Sequence, residues 1–236
     1  MAENEGSECA REHATGEPSA LDELVQLMAR LRGPGGCPWD ASQTHDSLIQ
    51  YLIEETYELI DAIESGDRDG MLEELGDVLY QVLFHADIAR TTVSENFDIQ
   101  DVAAHMIDKM VGRHPHVFGD RLATTPDEVM SFWDELKAFE KPHRTSVLDG
   151  IPQSMPALAL ADKVIGRAEK VAVQPEPFAP VAAHLPDSVL SDESLGDALL
   201  SIVAEARRHG INAESALRGA LRRLQGQIRR REAEGL

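Results

Sequence analysis

The chain has 236 residues, 42% of them hydrophobic, and a formal net charge of −20. This hydrophobic content is enough for the core of one large or two small domains. The negative charge argues against a nucleic-acid-binding surface, which needs positive side chains to contact backbone phosphates. Cys9 and Cys37 form neither a CxxC pair nor a disulfide framework, so a reducing cytoplasm is the expected setting.

The N-terminal segment, residues 1–19, is polar and acidic and predicts a flexible tail without a signal sequence. No apolar run reaches the length of a membrane span, so we expect no membrane contact. From residue 20 onward, apolar residues recur at helical spacing and no alternating strand pattern occurs. The expected fold class is therefore all-α, with helices at about 20–32, 43–65, 68–91, 98–112, 126–140, 156–171, 190–208 and 213–232.

Two short acidic motifs lie in neighbouring predicted helices, EETYE at residues 54–58 and ELGD at residues 74–77. Residues three or four apart on a helix share a face, with Cβ atoms about 5–6 Å apart. Each motif therefore presents two carboxylates side by side, and the pairs are Glu55 with Glu58 and Glu74 with Asp77.

The sequence between these motifs predicts an antiparallel helical hairpin, because Gly66 and Gly70 bracket a polar turn. Such a hairpin brings the four carboxylates face to face, where repulsion and lost hydration are costly unless a cation or protonation compensates. Oxygen ligands without His or Cys favour Mg²⁺, with Mn²⁺ as a substitute. The alternative is a solvated acidic face on two amphipathic helices, although the apolar residues beside both motifs favour a core or groove.

Four further segments accompany the acidic motifs: GCPWD at 36–40, QTH at 43–45, KMVGRHPHVF at 109–118 and VMSFWDELK at 129–137. In this order, the whole series resembles the N-terminal module of the MazG nucleoside triphosphate pyrophosphohydrolases, whose signature is EExxE followed by ExxD. The resemblance covers about residues 20–170.

This resemblance implies an all-α, Mg²⁺-dependent homodimeric enzyme that converts a nucleoside triphosphate into a nucleoside monophosphate and pyrophosphate. Clearance of non-canonical or excess nucleotides is one role for such an enzyme, and the sequence leaves open whether the target is a canonical, deoxy or damaged nucleotide. The resemblance makes four residues the metal ligands: Glu55, Glu58, Glu74 and Asp77. With Glu55 and Glu58, Glu54 completes the catalytic motif, and its expected role is to support the ligands or a water on the metal.

The same resemblance implies that Lys109 and Arg113 contact the triphosphate and that Trp133 and Lys137 meet the nucleoside. Without the resemblance, Lys109 and Arg113 are interpreted as the solvated edge of a helix and Trp133 as a buried residue of the core. Three histidines near these motifs are expected to pack or cap helices rather than bind metal: His85, His114 and His116.

The second half of the chain predicts a shortened repeat of the first. A linker at 171–189 contains four prolines and separates the catalytic module, residues 20–170, from a half-module at 190–236. Leu195-Gly196-Asp197 repeats Leu75-Gly76-Asp77, but Ser194 stands where Glu74 does and no EExxE block precedes it. We interpret this part as a degenerate copy without chemistry, and coincidence in two helical hairpins is the alternative.

Two other functional classes are compatible with acids on paired helices. A carboxylate-bridged di-iron protein would need Glu-x-x-His on its helices, and none occurs in these motifs. A non-catalytic metal- or nucleotide-sensing module would keep the fold without turnover. Pyrophosphate release from a triphosphate with Mg²⁺ separates the enzyme from the sensor.

Overall fold

The computed structural model describes residues 18–140, 145–173 and 191–233, with the backbone alone at 131, 134, 135 and 137–139. Within these ranges the chain is helical and contains no strand, which confirms the predicted all-α class. The helices are α1 (Ala20–Arg32), α2 (Pro38–Ser42), α3 (His45–Ser65), α4 (Arg68–Thr91), α5 (Ile99–Arg113), α6 (Pro115–Phe118), α7 (Pro126–Glu140), α8 (Ala157–Ala168), the 3₁₀ helix Glu169–Val171, α9 (Asp192–Arg208) and α10 (Ala213–Ala233).

All eight predicted helices are present, and their ends agree with the predicted ones to within about three residues. The sequence patterns did not predict the one-turn helices α2 and α6, which begin at Pro38 and Pro115. Proline fits the first turn of a helix because the N–H it lacks would have no partner there. Nearly all of the predicted N-terminal tail and Pro-rich linker lies outside the described residues.

The chain forms two compact units, Met1–Thr124 and Thr125–Leu236. We call them unit 1 and unit 2. Unit 1 contains α1 to α6, and unit 2 contains α7 to α10. The domain boundaries predicted from the sequence remain predictions. Among the described residues, no helix is both long enough and apolar enough to cross a membrane.

Local signals fix the α3–α4 hairpin of unit 1. Thr44 and Ser47 form a capping box at the start of α3. Gly66 ends the helix in the left-handed conformation, with φ of 74°, where a side chain would be strained. Asp67 then caps α4 by accepting a hydrogen bond from the backbone N–H of Gly70 at 3.0 Å. The short turn keeps the two helices antiparallel and adjacent.

The core of unit 1 lies between α1, α3 and α4 and consists of five buried apolar residues: Met28, Leu48, Leu83, Phe84 and Ile88. A buried ion pair borders this core, in which Arg32 Nε donates to Asp87 Oδ2 at 2.8 Å. The same guanidinium donates to the carbonyl of Asp40 at 2.7 Å and lies 5.1 Å from the centre of the Phe84 ring. Arg32 thus ties α1 to α2 and α4.

Unit 2 has a smaller core, formed by Ile165 of α8 with Val203 and Ala204 of α9. Arg207 connects α9 to the neighbouring elements, with Nη1 at 3.1 Å from Asp162 and Nε at 3.2 Å from Glu169. Within the described part of unit 2, no helix carries an acidic motif equivalent to EETYE of α3.

Candidate metal centre

The two acidic motifs meet across the α3–α4 hairpin, as the sequence predicted. One carboxylate oxygen from each of Glu55, Glu58 and Glu74 lies within 4.8 Å of the others. Glu55 and Glu74 are half-buried, whereas Glu58 is exposed. We call these three residues the acid cluster. Its geometry follows from the helical spacing of EETYE and from the short turn that holds α4 against α3.

The electrostatic cost of the acid cluster appears in the acidity of two members. Burial raises the pKa of Glu55, and the negative charges of Asp77, Glu58, Glu74 and Glu54 raise it further. Burial likewise raises the pKa of Glu74, together with the charges of Glu58, Asp77 and Glu73. Ionised carboxylates at this site therefore lack enough compensating positive charge from the protein itself.

Asp77 and Glu54 also lie close enough to act on the acid cluster. Asp77 is half-buried on α4, and its charge is the largest effect on Glu55 after burial. Glu54 is exposed on α3 and has a smaller effect on the same residue. The predicted ligands therefore share one electrostatic neighbourhood, although Asp77 lies outside the set with mutual spacing below 4.8 Å.

The donor set fits a hard divalent cation. Glu74 Oε2 is buried and has no hydrogen-bond partner among the described residues. A buried carboxylate oxygen of this kind is costly unless a cation or a donor meets it. Mg²⁺ prefers carboxylate oxygens and water, and the cluster offers three carboxylates that converge from two rigid helices.

The residues predicted to bind the nucleotide lie on two other helices. Lys109 and Arg113 are four residues apart on α5 of unit 1, and both are half-buried. Trp133 is half-buried on α7 of unit 2, and the side chain of Lys137, one turn later, lies outside the described part. The roles of these four residues remain predictions.

Three aromatic side chains, Trp39, Tyr51 and Phe84, pack together, and one of them lies one helical turn from the acid cluster on α3. The spacing of the acidic residues did not predict this aromatic group. Trp39 packs edge-on against Tyr51, with ring centres 5.7 Å apart, and against Phe84 at 6.5 Å. Tyr51 is four residues before Glu55 and therefore lies one turn away on the same face. Trp39 remains 50% exposed, so it has ring surface available for a ligand.

A contact between two histidines, His45 of α3 and His85 of α4, links these helices. The rings of His45 and His85 are stacked, with Nδ1 atoms 2.6 Å apart, and His45 Nε2 lies 2.8 Å from Glu95. If Glu95 accepts from His45, His85 must donate from Nδ1, and its Nε2 is left buried without a partner among the described residues. Burial and the neighbouring His45 lower the pKa of His85. The expectation that His85 packs rather than binds metal fits these contacts.

Comparisons with known proteins show the family of this chain. A family profile described as "MazG nucleotide pyrophosphohydrolase domain" matches residues 43–118. The chain is 37% identical to a nucleoside triphosphate pyrophosphohydrolase of Escherichia coli (strain K12), covering 89% of this chain and 86% of that protein. It is 40% identical to the nucleoside triphosphate pyrophosphohydrolase/pyrophosphatase MazG of Thermotoga maritima, covering 90% of this chain and 85% of that protein. The chain belongs to the MazG family.

Two further matches have less informative descriptions. An uncharacterised 26.1 kDa protein of Streptomyces cacaoi is 46% identical, covering 85% of this chain and 77% of its own length. A crystal structure of a mazG-related protein from Thermotoga maritima is 27% identical, with a TM-score of 0.42, and covers 49% of this chain and 96% of its own.

Membership of the MazG family confirms the family and the enzyme class predicted from the sequence, a hydrolase of phosphoric anhydrides. The matched segment contains the whole acid cluster together with Asp77, Lys109 and Arg113. Trp133 and Lys137 lie beyond it. The family match therefore includes the candidate metal centre but not the two residues proposed to contact the nucleoside.

Proposed function

We propose that this MazG protein hydrolyses nucleoside triphosphates to nucleoside monophosphates and pyrophosphate with the help of Mg²⁺. Water adds to a phosphorus atom, the anhydride bond between the α- and β-phosphates breaks, and pyrophosphate leaves. The observation that carries the proposal is the acid cluster, three carboxylates within 4.8 Å on two adjacent helices. The names of relatives that match most of the chain support it.

The carboxylates act as metal ligands in this proposal. Glu55, Glu58, Glu74 and Asp77 would hold Mg²⁺, which, when bound, lowers the pKa of a coordinated water and stabilises charge on the leaving pyrophosphate. Without a cation, the same carboxylates repel a triphosphate. Glu54, exposed beside Glu55, would support these ligands or accept a hydrogen bond from a water on the metal.

Other side chains position the nucleotide. Lys109 and Arg113 would neutralise phosphate oxygens, a role that suits two half-buried cations one helical turn apart. Trp133 and Lys137 would contact the nucleoside, as the family resemblance implies. Because phosphoryl transfer depends on positioning and charge stabilisation, no nucleophilic side chain is required. Clearance of non-canonical or excess nucleotides in the cytoplasm is the proposed role.

We also propose that the protein acts as a homodimer. Ile49, Ile53 and Tyr57 recur every four residues on α3, and each is between 44% and 52% exposed. An apolar stripe of this kind marks an interaction surface more often than a solvated one. A second copy of the chain is the proposed partner.

The decisive experiment compares wild type with Glu58→Gln on a panel of nucleoside triphosphates, with the products identified. Glu58 is exposed, so the substitution removes a ligand charge without disturbing the core. We expect the variant to fold normally and to lose at least about a hundredfold in kcat, because one metal ligand is missing. Asp108→Asn, an exposed charge change on α5, is the matched control and should retain wild-type activity.

Two results would contradict the proposal. One is near-wild-type turnover by Glu58→Gln at saturating Mg²⁺, which would remove Glu58 from the metal site. The other is Mg²⁺-dependent nucleotide binding by wild type without pyrophosphate release from any triphosphate, which would favour the sensor.

A further inference from the structure

Unit 2 contains a cavity of about 430 Å³ that lies among α8, the 3₁₀ helix, the end of α9 and the start of α10. Four basic residues line it: Lys163, Arg167, Lys170 and Arg207. The cavity is formed entirely by residues of unit 2, whereas the acid cluster belongs to unit 1.

The basic residues of α8 and the 3₁₀ helix share one face, because 163, 167 and 170 follow helical spacing. Lys163 is exposed and Arg167 is half-buried. Neither side chain makes a hydrogen bond or an ion pair with any residue in the described ranges. A half-buried guanidinium without an anion partner is unfavourable, so this wall of the cavity favours an anionic ligand.

Arg207 is held in a fixed position in the opposite wall. It donates to Asp162 at 3.1 Å and to both carboxylate oxygens of Glu169 at 3.2 Å. Its guanidinium also lies directly against Gly166, where a Cβ atom would be 2.5 Å from Nη2. A side chain at position 166 would displace the end of Arg207, so Gly166 leaves room for the guanidinium.

The acidic residues in the cavity wall already have cationic partners. Asp162 is bound by Arg207, and Glu214 accepts from Arg218 of its own helix at 3.3 Å. The remaining charge of the lining is therefore positive. The start of α10 also contributes to the wall through Ala213, and the first backbone N–H groups of a helix favour an anion.

Unit 1 contains a cleft between α1, α4 and α5 that differs from this cavity in volume and charge. It has a volume of about 80 Å³, and its charged lining residues are Asp87, Arg90 and Asp98. In the sequence repeat, Asp87 aligns with Arg207 when Asp77 is placed on Asp197. The cavity of unit 2 therefore has a larger volume and a more basic lining than the cleft of unit 1.

We propose that the cavity of unit 2 binds a phosphate-bearing small molecule, with Lys163 and Arg167 contacting the phosphate. Unit 2 then serves as a ligand-binding unit. Bare phosphate or pyrophosphate and a nucleotide are two sources of the same chemical group. The inference holds whether or not the acid cluster of unit 1 catalyses hydrolysis.

The test is titration calorimetry of the full chain with inorganic phosphate, pyrophosphate and AMP, each in EDTA at low salt. Removing divalent metal prevents binding through the acid cluster. We expect saturable binding to wild type that becomes at least about tenfold weaker in the double variant K163Q/R167Q, because charged hydrogen bonds are lost. Tighter binding of AMP than of phosphate would identify a nucleotide, and equal binding would identify the phosphate group alone.

The matched control is the double variant R229Q/R230Q, which removes the same charge from exposed positions of α10 outside the cavity. It should bind as wild type does, and so should Glu58→Gln. If the control weakens ligand binding as much as K163Q/R167Q does, the loss is due to net charge alone, and the proposal is overturned. Absence of saturable binding, or loss of binding in Glu58→Gln, would also overturn it. The single variant K163Q changes only an exposed side chain and keeps the test valid if the double variant does not fold.

Discussion

The burial and the raised pKa of Glu74 are the most informative properties of the candidate metal centre. Its Oε2 atom is buried without a partner among the described residues, and burial and neighbouring carboxylates raise its pKa. The folded protein therefore holds a charge that water would solvate better. A cation that occupies the centre should stabilise the fold as well as support catalysis.

The substitution Glu74→Gln should separate these two effects. In EDTA, we expect the variant to melt a few degrees above wild type, because one charge leaves a repulsive cluster. Added Mg²⁺ should raise the melting temperature of wild type and have little effect on the variant. Differential scanning fluorimetry with and without Mg²⁺ measures both, and Asp108→Asn serves as the control. A variant that melts below wild type in EDTA and still responds to Mg²⁺ would contradict this account.

His85 should make the stability of the protein depend on pH. Its pKa in the folded protein lies below the ordinary value of 6.5, so the unfolded chain binds a proton more readily. The stabilisation is complete above that value and is lost as the pH falls below 6.5 towards the folded-state pKa. His85→Gln should therefore show a smaller loss of melting temperature than wild type between about pH 7.5 and about pH 5.5.

The control for this experiment is His105→Gln, which changes an exposed histidine of α5. It should follow the wild-type pH dependence. An identical pH dependence in His85→Gln and wild type would exclude the His45–His85 contact as the cause.

At the scale of helices, the ion pair between α1 and α4 makes the clearest contribution to stability. Arg32 and Asp87 are both at least nine-tenths buried, and Arg90 adds a partly exposed contact to the same carboxylate at 2.7 Å. Breaking a buried pair leaves an uncompensated charge, so Asp87→Asn should cost about 3 kcal/mol of unfolding free energy. Urea denaturation measures this loss.

Arg90→Ala removes the exposed partner of the same aspartate and should cost less than about 1 kcal/mol. A loss of similar size in the two variants would show that burial of Arg32 is not the cause.

The sequence predicted the helices and the acid cluster because both depend on local spacing. The periodicity of α3 and α4 and the glycine turn between them are enough to bring Glu55 and Glu58 opposite Glu74. Arg32 contacts Asp87, which lies 55 positions later in the chain, and His45 contacts His85, which lies 40 positions later. Periodicity shows which face of a helix is apolar, but it does not show which polar residues of distant segments meet. These contacts therefore needed the structure.

In the register of the predicted repeat, buried positions of the two units coincide. When Asp77 is aligned with Asp197, Leu83 falls on Val203 and Phe84 on Ala204, and all four residues are buried. Leu83 and Phe84 belong to the core of unit 1, and Val203 and Ala204 belong to the core of unit 2. The repeat itself stays a prediction.

For the whole molecule, the testable expectation is the homodimer. Ile49→Glu places a charge in the exposed apolar stripe of α3 and should shift the protein towards monomer in light scattering coupled to gel filtration. Val93→Glu is the control, because Val93 is 97% exposed and lies in the turn after α4 and not on α3. A dimer that persists in Ile49→Glu, or a wild-type monomer, would contradict the proposed assembly.

The opposite charges at positions 87 and 207 bear on how a chain with two units folds. In unit 1 an arginine of α1 meets an aspartate of α4, whereas in unit 2 an aspartate of α8 meets an arginine of α9. If α1 docked on α9 during synthesis, Arg32 would face Arg207, and the reciprocal error would set Asp162 against Asp87. Like charges brought together out of water disfavour both mistakes, so the opposite polarity helps each half select its own helix.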